Sequence, residues 1–200
     1  MKKAKKALAI LLCAALLVGG TIAGTVAYLT AKTGPVTNTF TAGNVAITLD
    51  ELDVDNSTAD KDRDTANAYH LIPGETYVKD PTVHVAANSE NSWIFVKVEN
   101  GLKNYEAATN TIEAQILAKG WKVLDATNHP GVYYQEYAKQ ATEKNLVVFE
   151  NFTIDSAEVL GTEWSAVKDA KVIVTAYAVQ MSNGNGNFTV EQAWAQAPKA

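Results

Sequence analysis

The sequence predicts a single β-sandwich domain with two short helical insertions, and three observations carry that prediction. First, 200 residues at 47% hydrophobic and 20% charged are enough for one substantial core and too apolar for a disordered chain. Second, short runs of β-branched and aromatic residues recur along most of the chain. Third, turn-forming pieces such as Pro73-Gly74, His129-Pro130-Gly131 and Asn183-Gly184-Asn185-Gly186-Asn187 separate those runs. Strands at this spacing predict a sandwich.

The N-terminus stands apart. Lys2, Lys3, Lys5 and Lys6 precede an unbroken apolar run from Ala7 to Val18, and small residues follow from Gly19 to Ala27. This is the order of a secretory signal peptide, with Thr25-Val26-Ala27 supplying the small side chains read by the peptidase. Cleavage is expected between Ala27 and Tyr28. A retained anchor is the alternative, because the uncharged stretch from Ala7 to Ala31 is long enough to span a bilayer. The expected divisions are therefore 1–27 as signal peptide, 28–40 as an extended N-terminal segment and 41–200 as the sandwich.

Cleavage would remove four of the seventeen bases and leave thirteen against twenty-two acids, a net charge of −9. With Arg63 as the sole arginine, that balance excludes a basic nucleic-acid footprint. Cys13 is the sole cysteine and lies inside the apolar run behind Leu12, where lipidation would require a small residue. The exported portion then contains no cysteine, and its stability must come from packing.

Strands are expected at Thr39 to Leu49, Thr76 to Ala86, Ser92 to Glu99, Val132 to Tyr137, Asn145 to Phe149 and Lys171 to Gln180. In the third, Ile94, Val96 and Val98 alternate with Trp93, Phe95, Lys97 and Glu99, the period of a half-buried strand. The last is apolar on both faces, which suits a central position. One helix is expected after an Asn110 or Thr111 cap, with Ile112, Ile116 and Leu117 on its apolar face and Gly120 at its end. The other runs from Thr189 to Gln196 behind a Thr189/Gln192 capping box.

Catalytic patterns are weak. His70, His84 and His129 are too far apart for a His-Glu-x-x-His zinc site, no Gly-x-Ser-x-Gly elbow occurs, and no phosphate-cradling glycine loop is present. Neither an enzyme activity nor a cofactor is expected. The acidic stretch from Asp50 to Asp64 holds seven carboxylates against Lys61 and Arg63. Asp60, Asp62 and Asp64 have the spacing of the first three EF-hand ligands, but Thr65 replaces the turn glycine and Leu71 the bidentate glutamate. The reading is a solvated acidic loop, with weak calcium binding at Asp60, Asp62 and Asp64 as its alternative.

The segments GTVAYLTAKTG and TNTFTAGNVAITLDE, followed by IPGETYVKDPTVHVAANSENSWIFVKVEN, GWKVLD with GVYY, VVFENFTI, VIVTAYAVQ and EQAWAQA, carry a resemblance. In order and spacing they resemble the TasA/camelysin family of Gram-positive exported proteins over almost the whole chain. The resemblance implies a jelly-roll-like sandwich, leader removal by a dedicated SipW-type signal peptidase, and polymerisation into biofilm-matrix fibres with itself or related matrix subunits. It further implies that the strand from Tyr28 to about Phe40, with Tyr28, Leu29, Val36 and Phe40 as its apolar residues, inserts into a neighbour's sheet. Pro35 departs from this pattern, since it cannot donate a ladder hydrogen bond. Membrane contact is expected only through an uncleaved leader. A camelysin-like surface metalloprotease and a non-polymerising extracellular binding module are the alternative functions.

Overall fold

Alternation of apolar and polar residues builds the first strands. The computed structural model describes residues 44–58, 62–156, 167, 170–182 and 184–198. The expected leader and the 28–40 segment lie outside them. The chain divides into Met1–Thr41 and Ala42–Ala200, and every described residue belongs to the second unit.

Strand β1 (Ile47–Leu52) pairs antiparallel with β2 (Arg63–Asp64) and with β4 (Thr82–Val85), and β4 pairs with β8 (Lys144–Val147). The resulting sheet has the order β2-β1-β4-β8. A second antiparallel sheet has the order β10-β5-β7-β6, from β5 (Ser92–Asn100), β6 (Lys122–Asp125), β7 (His129–Tyr137) and β10 (Val172–Gln180). A two-stranded ribbon of β3 (Thr76–Val78) and β9 (Asn151–Thr153) completes the strands described. The protein is a mainly β, jelly-roll-like antiparallel sandwich with short helices, as its sequence predicts.

Val83 and Val85 of one sheet and Ile94, Val96 and Val98 of the other are buried in a shared core with Leu146, Val148, Phe149 and Phe152. Burying each such side chain contributes about 1.5–3 kcal/mol. The opposite face of β5 is covered over its first half. Phe95 and Val132 are buried against Ala193 and Trp194 of helix α2 (Val190–Gln196), whereas Lys97 and Glu99 keep the second half of that face polar, with Glu99 exposed.

The strand expected from Thr76 to Ala86 divides at Lys79-Asp80-Pro81 into β3 and β4, which join different sheets. Pro81 has no N–H for a ladder, and its carbonyl instead accepts from Val148 N–H at 2.8 Å. The His129-Pro130-Gly131 piece opens β7 instead of ending before it. Gly131 takes φ +75°, and a Cβ there would stand 2.5 Å from the Val98 carbonyl oxygen. Only glycine fits that approach.

Helix α1 (Ile112–Ala118) is capped by Thr111, whose hydroxyl accepts from Ala114 N–H, and Gly120 follows it at φ +85°. Ile112 and Ile116 are buried, whereas Leu117, expected on the same face, is 46% exposed. Buried Glu106 also accepts from the Ile112 N–H at 2.6 Å and from Asn100 Nδ2 at 2.7 Å. The predicted capping box of α2 is present in both directions.

The main correction concerns β10. Its two apolar faces suggest a central strand, yet it stands at the edge of its sheet, paired with β5 alone among the described residues. Val172, Val174, Ala176 and Ala178 face the main core, while Tyr177 and Val179 face α2. Two-sided cover comes from the opposite sheet and a helix, not from flanking strands.

Candidate functional site

The four edges of the two larger sheets differ in how they are protected. β2 is two residues long, and β8 opens with Lys144. β6 carries Lys122 and an irregular register between Val123 and Asp125. Short length, lysine and a bulge are all devices that discourage strand addition. β10 has none of them: its nine residues, VIVTAYAVQ, include no charge and no proline.

Beside β10 lies a cleft of about 730 Å³, between the edge of one sheet and the edge of the other. Leu49 of β1, Leu102, Phe152, Val172 and Val174 give it apolar walls, and Glu51, Asn67 and Lys79 reach it from one side. Ile173 is 47% exposed along the same edge. The expected assembly residues Tyr28, Leu29, Val36 and Phe40, and the expected cleavage pair Ala27 and Tyr28, lie outside the described residues.

The described part of the acidic loop is held by hydrogen bonds to its carboxylates. Asp53 accepts from Ser57 N–H at 3.1 Å, Thr58 N–H at 3.0 Å and the Thr58 hydroxyl at 2.6 Å. The Thr58 hydroxyl above all, opposed by burial and aided by the backbone donors, holds the Asp53 carboxyl down at about 2. Asp55 accepts from the N–H groups of Ser57 and Ala68, and Asp64 from the Ser57 hydroxyl at 2.8 Å. Asn56 turns the loop at φ +57°, a conformation asparagine tolerates.

Oxygens of Asp53, Asp55 and Asp64 thus lie within 4.8 Å of one another, the only such ligand group among the described residues. Of the residues with EF-hand spacing, Asp64 belongs to this group. The exposed Asp62 lies outside it, and Asp60 lies outside the described residues. Hard oxygens at this separation are the type calcium takes. Sequence spacing missed Asp53 and Asp55, which a turn rather than a linear motif brings to Asp64.

A second polar cluster crosses the outer face of the β2-β1-β4-β8 sheet. Arg63 Nε donates to Asp50, and Arg63 Nη1 donates to Asp80 at 3.1 Å. His84 places Nε2 2.9 Å from Asp50 Oδ1, and Nδ1 2.8 Å from Asn145 Oδ1 and 3.3 Å from Glu143 Oε1. Burial disfavours the charged ring, but the bonds to Asp50 and Asn145 and the Asp50 charge outweigh it and raise the His84 pKa. His129 approaches Glu191 at 3.7 Å, and none of the three histidines joins the carboxylate group.

Comparison of the chain with known protein families, curated proteins and solved structures finds no match.

Proposed function

We propose that the protein is an exported structural subunit that assembles into extracellular fibres, the segment from Tyr28 to Phe40 of one copy adding to the β10 edge of the next. The observation that carries this reading is the contrast between β10 and the other three sheet edges. An uncharged nine-residue edge strand beside a cleft with apolar walls and a polar side is an acceptor for strand addition, and such edges are normally blunted in proteins that stay monomeric. The proposed donor is rich in threonine with a few apolar residues, too poor in them to form a core alone. Head-to-tail addition does not close, so it yields a filament. The resemblance in segment order to the TasA/camelysin proteins points the same way.

Electron microscopy of the purified chain beginning at Tyr28 tests the reading. Filaments are expected, and deletion of Tyr28 to Asn38 should leave a folded monomer that cannot elongate. Polymerisation of the deleted form at an undiminished rate would refute strand addition. A chain that stays monomeric at every concentration would instead favour the extracellular binding module.

A further inference from the structure

Glu51 is 5% exposed, and its two carboxylate oxygens have different partners. Oε2 accepts from Lys79 Nζ at 2.5 Å, and Oε1 accepts from Asn67 Nδ2 at 3.0 Å. The Lys79 and Glu51 side chains are only 11% and 6% exposed. One carboxyl group therefore holds an amine and a carboxamide side by side at the wall of the cleft, with the carboxyl and the amine largely buried. The other end of the Asn67 amide is fixed as well: its Oδ1 accepts from Val54 N–H at 2.8 Å, and its Nδ2 also donates to the Leu52 carbonyl at 2.8 Å. The Tyr69 ring stands 6.0 Å from Lys79 Nζ and shields it on one side.

These are the parts of an acyl transfer: a nucleophile, an electrophile, a group that moves protons between them, and a backbone donor aimed at the oxygen where charge develops. We propose that Lys79 and Asn67 join spontaneously in an intramolecular amide bond, with Glu51 as the proton carrier. The Lys79 ammonium gives a proton to Glu51, and the free amine attacks Asn67 Cγ, forming the new C–N bond. The Val54 N–H steadies the oxyanion. Glu51 delivers its proton to Nδ2, takes the surplus proton from Nζ and passes that on too, as the Cγ–Nδ2 bond breaks and ammonium leaves. An ammonium and a carboxamide become a secondary amide and an ammonium ion, Glu51 returns to its starting form, and no other reactant is consumed. Fixed neighbours of this kind gain the large effective concentrations of intramolecular reactions.

Mass spectrometry of the folded full chain tests the bond directly. The expected mass is lower than the sequence mass, after any leader removal, by one ammonia, about 17 Da. Trypsin should fail to cut after Lys79, and cleavage after Glu75, which lies between the two residues, should leave the two pieces joined. A succinimide at Asn67 has the same mass loss but leaves Lys79 cleavable, and that result would overturn the proposal. So would an unaltered mass with cleavage after Lys79. Glu51→Gln should abolish the loss, and a linked product in that variant would remove Glu51 from the reaction. If that variant does not fold, the mass and digestion pattern of the unsubstituted chain still establish or refute the bond.

Discussion

Both nitrogens of His84 face oxygen acceptors, two of them carboxylates, so the ring satisfies all its neighbours only as imidazolium. The groups around it come from three strands and a loop: Asp50 on β1, Asn145 on β8 and Glu143 before it, with Arg63 on β2 sharing Asp50. Because its folded pKa is raised, the stabilisation is fully present below the unfolded value of about 6.5 and is lost as pH rises through the folded value. His84→Gln should cost about 1–2 kcal/mol near pH 5 and progressively less above neutrality. Urea unfolding across pH measures this, and a pH-independent difference would mean that charge is not involved. Gly131 is held by geometry instead: with φ +75° and Val98 O in the way, Gly131→Ala should cost about 2 kcal/mol or more by the same measurement.

At the scale of elements, capping chemistry was readable because it is local. Thr111 and Thr189 announce helices through residues three positions away, and both caps form. β10 was legible as a strand but not as an edge, since hydrophobicity reports burial of its faces and says nothing about hydrogen bonding along its sides. The Asp53, Asp55 and Asp64 group and the Glu51, Asn67 and Lys79 group escaped for a related reason. Each is assembled across turns and ladders from residues with no fixed spacing. Placing a charge in the middle of β10 tests its role. Thr175→Lys, on an exposed side chain paired opposite Lys97, should leave the thermal midpoint within a few degrees and reduce filament elongation at least tenfold. Unchanged elongation would move the acceptor elsewhere.

At the scale of the molecule, two sheets and α2 bury aromatic and branched side chains in two layers. Trp194 joins the outer layer, packing at 5.2 Å from Phe95 and 5.4 Å from Tyr177 by ring centroids. Trp194→Ala should cost about 3–5 kcal/mol in chemical denaturation, and a loss below about 1 kcal/mol would make α2 a peripheral attachment.

The unequal treatment of the sheet edges has a consequence for any polymer built from this subunit. Under the proposed strand addition each protomer offers one acceptor edge and one donor segment, so a filament would have two unlike tips, one presenting β10 and the other the 28–40 segment. A tailless copy could still accept a tail but offer none, so it would dock at one tip only and stop growth there. Doping such copies into a growing preparation would shorten filaments in proportion to their fraction, and labelled subunits added later would decorate a single end.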